Sequence, residues 1–541
     1  MPLYALVLLC PGAALADTLV DNVDGFTLDQ NGAVERISGL LIGTDGRIVQ
    51  VLHRGDKRPG KVDYLLDGKG RVLMPGLIDA HINLMSLGFS ALTLDLSVAR
   101  SLPEAQARIT AYAAAHPDRA WILGRGWDAA TWGRSPTAAD LDAATGNRPV
   151  WLISADGHSG WANSAALAAA GLTAASKDPA GGRIERGVGG KPTGIVIETA
   201  MARIEKAVPA PRPEDRDLAF TAAQNLLVKR GITAVADMGT TIEDWQSYRR
   251  AGDSGALRIR IMAYAGGTDA MSLIGGPGPS PWLYDDRLRL NGVALAVDGA
   301  LATRGAWLKA AYTDAPATTG LPRISGTQLR NLMSRAAIDR FQVAVEANGD
   351  AATGAVLDAI GELAQTYKGE RRWRIEGARA VNAKDVGRFG AIASVQPAAL
   401  AAATADARLG PARAADADRW ASLAGAKVTL AFGSGAPAAL PDPFAGLATA
   451  TTRQDAAGQP YGGWQAQERL TREAALAAYT TGAAFAGYAE GRFGRLAVGQ
   501  RADFLLVDRD PLMASASELR ATRVLETWIG GRKVWAAPAG E

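Results

Sequence analysis

Eight short β-type runs recur along the middle of the chain, and no other feature restricts its fold so tightly. They are LIDAHI (77–82), ITAVADMG (232–239), IRIMAYAG (259–266), LNGVALAVDGA (290–300), FQVAVEANG (341–349), WRIEGA (373–378), AIASVQP (391–397) and KVTLAFGS (427–434). Segments of helical period lie between them: in TQLRNLMSRAAID, Leu329, Leu332, Met333, Ala336 and Ala337 fall on one face. A strand that is apolar along its whole length must be covered on both sides. Eight of them alternating with helices predict an α/β fold, a closed parallel (β/α)8 barrel of TIM type.

Both ends have a different texture. GFTLDQ, RISGLLIGTDGRIVQVL with a turn at Asp45-Gly46, and VDYLLDGKGRVLM with a turn at Gly68 to Gly70 read as short strands, as do RADFLLVDRD and VLETWIGGRKVW at the far end. Residues 17–73 and 490–541 are expected to pair into one small β-sandwich domain around a barrel spanning 74–489. The interval from about 90 to 220 is too long for a single crossover helix, so an inserted subdomain is expected there. Residues 1–16 combine an apolar run with Ala14-Leu15-Ala16, the pattern of a secretory signal cut before Asp17, and imply a periplasmic or secreted protein; a buried N-terminal strand is the alternative. The single cysteine, Cys10, lies inside that segment, and no other stretch is long and apolar enough to span a bilayer.

With 48% hydrophobic and 21% charged residues in 541, the chain is globular rather than disordered. Its 58 basic and 55 acidic residues leave +3, with no basic stripe, so the charge gives no reason to expect nucleic acid as a partner. A small organic molecule is the expected partner.

A series of motifs then occurs in one order: MPGLIDAH (74–81), GRGWD (124–128), DGHSGWANSAAL (156–167), GGRI (181–184), PTGIVIETA (192–200), DGALATR (298–304), SVQP (394–397) and GRLAVGQRADFLLVDRDP (494–511). In this order and spacing the chain resembles the amidohydrolase superfamily, in its amidohydrolase 3 branch, over nearly all of its length. The resemblance implies a (β/α)8 barrel with a β-sandwich built from both ends. It also implies hydrolysis of amide or related non-peptide C–N bonds by hydroxide on zinc or another divalent metal, which lowers the pKa of bound water and polarises the carbonyl.

Carried over position by position, the metal shell is incomplete. His81 is kept, but Asn83 stands where the second histidine of His-x-His belongs, and an amide oxygen is a poorer zinc ligand than imidazole. Ala294 occupies the place of a lysine whose carbamate often bridges two metals in relatives. VEANGD puts Glu346 where VHAIGD has histidine, RIEGA puts Gly377 where RIEHA has histidine, and AFGSGAP puts Gly435 where AFGSDAP has aspartate. Of the four histidines, His53 and His116 fall on the expected sandwich edge and an insert helix end. The expectation is a dismantled site with no metal or other cofactor, its vacated ligand positions being Asn83, Ala294, Glu346, Gly377 and Gly435.

The pocket around that site is expected to keep His81, Asn83, Trp127, Arg304 and Glu376, with Asp298, His158 and Glu346 as candidate catalytic groups. Each has a plainer alternative. His158, beside Trp161 and Asn163, reads equally as a loop histidine bonded to a nearby carbonyl, and Asp298 with Arg304 as an ion pair stiffening the rim. Glu346 reads as a new general base or as polar filler, and Trp127, near Asp128 and Trp132, as pocket wall or insert core. Three functions stand open: a metal-free pseudoenzyme or small-molecule-binding protein; a metal-independent hydrolase or acid–base enzyme using His81, Glu346, His158 or Asp298; and an active amidohydrolase with an unusual, oxygen-rich shell. Self-association, or association with an active paralogue, fits the first.

Overall fold

The computed structural model describes residues 17–538, apart from 30, 156, 158, 180 and 181. The expected signal, residues 1–16, and His158 therefore lie outside the described residues.

The eight runs form eight parallel strands: β1 (Leu77–Ile82), β2 (Ile232–Thr240), β3 (Arg260–Gly266), β4 (Leu288–Ala296), β5 (Gln342–Ala347), β6 (Arg374–Gly377), β7 (Ile392–Val395) and β8 (Leu430–Phe432). They are hydrogen-bonded in chain order, and the segment after β8 closes the ring onto β1. There Gly435 N–H donates to His81 O at 2.8 Å and Asn83 N–H to Ala436 O at 2.8 Å. That approach requires a glycine at 433, because a Cβ there would sit 2.4 Å from the His81 nitrogen. The TIM-type barrel is thus the observed fold. The segment 326–338 is a helix that buries Leu329, Met333, Ala336 and Ala337, with Leu332 half-buried. Such helices bury the outer faces of the strands in one large apolar layer, which includes Val235, Ile261, Val293, Val345 and Ile375.

Three further sheets surround the barrel. One six-stranded sheet runs in the order 532–536, 524–529, 504–507, 72–75, 24–28, 34–37, so three strands from the C-terminal end join three from the N-terminal end where 504–507 pairs with 72–75. A four-stranded sheet takes 48–52, 39–42, 18–21 and 64–67. The turn at Gly68 to Gly70 is present, but its flanking strands join different sheets instead of forming a hairpin. The interval between β1 and β2 holds a third sheet, ordered 182–186, 192–198, 159–162, 150–154, 122–127, 94–95. No described helix is long and apolar enough to cross a membrane.

Candidate functional site

β6 reads Arg374-Ile375-Glu376-Gly377, and its two-residue period sends Ile375 outward while Arg374 and Glu376 both turn into the barrel. Glu376 Oε1 accepts from Arg374 Nε at 2.7 Å, and Oε2 lies 2.7 Å from His81 Nδ1. Arg374 also donates to Ala80 O at 2.6 Å and to the Tyr264 hydroxyl at 3.0 Å, and that hydroxyl bonds Gln342 Oε1 at 2.6 Å. A chain of satisfied polar groups therefore fixes the imidazole from below. Burial pushes the His81 pKa down, but the hydrogen bond and charge of Glu376, with the charge of Glu346, outweigh it and raise it above the ordinary histidine value. Burial opposes ionisation of Glu376 too, and the Arg374 charge followed by the His81 hydrogen bond keeps its carboxyl below the usual range. The His81 side chain is 22% exposed, so it still reaches the space above.

The neighbouring positions are committed elsewhere. Asn83 caps the helix α1 (Leu84–Leu92), its Oδ1 accepting the Ser86 N–H at 3.0 Å. Gly377 stands at φ +87°, and a Cβ there would meet Asn348 Oδ1 at 2.4 Å. The Asn348 amide in turn donates to Glu346 Oε1 at 3.1 Å and Gly299 O at 3.2 Å. Gly435 is also left-handed, at φ +70°. Among the described residues, no group of three or more His, Cys, Asp or Glu is placed to hold a metal ion.

Above these groups opens a cavity of about 830 Å³ between the barrel mouth and the inserted sheet. His81, Asn83, Ala294, Glu346, Glu376 and Gly435 all line it, although they come from five different barrel strands and their following loops. Three expected participants do not. Asp298 is fully buried, its carboxylate accepting the N–H groups of Trp307, Asn348 and Gly349 at 2.8, 2.9 and 2.8 Å. Burial raises it to about 6, partly offset by those three donors. It organises the loops after β4 and β5 and neither pairs with Arg304 nor borders the cavity. Arg304 instead pairs with Asp314 at 2.7 Å on the surface, because the turn at 301–304 swings its guanidinium outward. Trp127, 4% exposed, donates to Leu152 O at 2.9 Å and packs against Trp132 and Trp161 inside the insert. Asn163 is also structural, capping the helix Ser164–Ala169.

The aromatic wall is made by Trp151 and Phe89 in its place. Two charged groups also escaped the sequence reading. Arg374 follows Arg371 and Arg372 and shares one strand face with Glu376 in WRIEGA, an alternation that marks both as inward-facing. Arg125 lies in GRGWD, where the tryptophan and aspartate drew attention first; strand alternation would have put it on one face with Leu123.

These features define a (β/α)8 barrel protein with a cavity at its C-terminal mouth, roofed by an inserted sheet. The Amidohydrolase family model matches residues 65–535, and the chain belongs to that family. It is 32% identical over 552 residues to protein LONG AFTER FAR-RED 3 of Arabidopsis thaliana, covering 97% of this chain and 92% of that one. It is 27% identical to the N-substituted formamide deformylase of Arthrobacter pascens, over 96% of this chain and 98% of that one. Among solved structures it is similar to an uncharacterized metal-dependent hydrolase of Pyrococcus horikoshii, with a TM-score of 0.78 at 26% identity, covering 92% of this chain and 99% of that one.

Proposed function

We propose that this amidohydrolase-family chain binds a small organic molecule at the barrel mouth without a resident metal. The observation that carries the reading is the repacking around Gly377. Its left-handed backbone and the Asn348 oxygen in its side-chain space leave no room for a ligand there, and the Asn83 oxygen is spent on α1. A tight zinc site needs about four donors near 2 Å, held by a supporting shell. One imidazole tied to Glu376 and one carboxylate, Glu346, do not fit that requirement. Family chemistry on C–N bonds, as in the formamide deformylase, suggests an amide-containing ligand. Export is part of the same proposal, checked by N-terminal sequencing of protein from the extracytoplasmic fraction.

A second reading is favoured by His81 itself. An imidazole held at Nδ1 by a buried carboxylate, and raised in pKa, can donate a proton to a bound ligand without a metal. One experiment addresses both readings: thermal stability and turnover across amide, lactam and ester libraries, in the presence of a chelator. Binding without turnover supports the first reading, and a ligand at a hundred times its Kd adds about 2.7 kcal/mol. Chelator-resistant turnover lost in His81→Gln supports the second. Absence of any ligand from all three libraries rejects both.

A further inference from the structure

From the cavity's roof, we infer that Arg125 is the anchor for an anionic group on the ligand, making that ligand an amphipathic organic carboxylate. The inference rests on the small-molecule reading above. The strand 122–127 pairs in parallel with 150–154, placing Leu123 beside Trp151 and Arg125 beside Ile153. All four line the cavity, so one face of the inserted sheet presents three apolar side chains and a single guanidinium. A bulge follows Arg125 at Gly126, whose φ is +89° and whose Cβ would meet the Ser97 nitrogen at 2.7 Å. The local backbone therefore sets which way the arginine faces.

That guanidinium makes no hydrogen bond or ion pair with any described residue, although it is half-buried. The other basic group at this cavity, His81, is already matched by Glu376. A planar fork of five N–H donors left open in an apolar enclosure suits a carboxylate, which it can bind bidentately. Orientation follows from charge. At the barrel end Glu376 is already offset by Arg374 and His81, while Glu346, bonded to the neutral Asn348 amide, repels an anion. Glu205 of the insert also lines the cavity but makes no ion pair with Arg125. The acid group therefore belongs beside Arg125, and the apolar or amide portion points down toward His81. A single unpaired cation favours a monoanion over a phosphate dianion.

The test uses the intact protein and paired probes: aryl-alkyl carboxylic acids with two- to six-carbon chains, and their primary amides, measured by calorimetry. The expected result is that the acids bind about tenfold to a hundredfold more tightly than the amides, a range set by hydrogen bonds to charged groups. Arg125→Gln should weaken the acids far more than the amides and so remove that preference, with circular dichroism and thermal melting reporting that the variant folds. Arg125→Lys should retain part of it, and serves should the glutamine variant not fold. Equal binding of acids and amides by the native protein, or an acid preference that survives Arg125→Gln, overturns the inference and leaves the cavity reading intact. Binding of neither series overturns the inference, and the amide, lactam and ester libraries then decide the cavity reading.

Discussion

At Gly377 the backbone and its neighbour together exclude a side chain, and this is where the proposed metal-free site is most exposed to test. The carbon added by Gly377→Ala would enter a left-handed residue and approach Asn348 Oδ1 to 2.4 Å, against 3.5 Å from Gln396 Cγ for Gly435→Ala. Left-handed strain alone costs about 1–3 kcal/mol. Gly377→Ala should therefore lose more stability in urea than Gly435→Ala, with the difference coming from displacement of Asn348. Equal losses would show that Asn348 gives way freely, and that a histidine at 377 remains a small step away. Such a conflict is invisible in the sequence, where RIEGA shows only a missing donor. The sequence tells which donor atoms are absent, but not whether the backbone and a neighbouring amide occupy the space. For the same reason Asp298 and Arg304 looked like partners: their nearness in DGALATR concealed a turn that sends one inward and the other out.

At the scale of one element, α1 explains why position 83 holds asparagine. Helix N-termini leave N–H groups without partners; here Asn83 takes the N–H of Ser86, and Asp237, within β2, takes that of Leu84 at 2.8 Å. Asp237 is buried and also accepts from Thr240 Oγ1 at 2.6 Å and the Tyr248 hydroxyl at 2.9 Å. Burial nevertheless raises its pKa from 3.8 to about 6. A carboxyl with a raised native pKa favours the folded state when protonated. Its contribution is fully present below about pH 4 and is lost as the pH rises through about 6, amounting to on the order of 3 kcal/mol for a shift of roughly two units. Asp237→Asn cannot titrate, so the stability difference between wild type and variant should change by that order between pH 4 and 6, and be flat above 7. A difference independent of pH would mean that Asp237 is ionised throughout. The strands themselves were legible because continuous apolar runs have few other uses. The inserted sheet was legible only as a gap too long to be a crossover, since its strands mix parallel and antiparallel pairing without one repeating pattern.

For the whole molecule, the two chain ends are the least separable parts. Strand 504–507 pairs with 72–75 on one side and 524–529 on the other. Arg260 of β3 binds Asp503 with two hydrogen bonds of 2.6 and 2.8 Å, and Asp286 gathers Arg47, Arg492 and Arg501. We propose that 17–73 and 490–541 act as one folding unit docked on the barrel. Removal of residues 490–541 should then expose the segment 18–75 to proteolysis, and its continued protection would reject the shared unit. The similar β texture of the two ends was readable in the sequence, while the order of their strands depends on contacts more than 400 residues apart, such as Leu505 with Met74. The central claim concerns the mouth of the barrel, and elemental analysis tests it most directly, on protein prepared with added zinc or manganese and with His81→Ala alongside. The account predicts metal well below one ion per chain, unchanged by the substitution. About one ion per chain, lost in His81→Ala and accompanied by amide hydrolysis that a chelator abolishes, would contradict it.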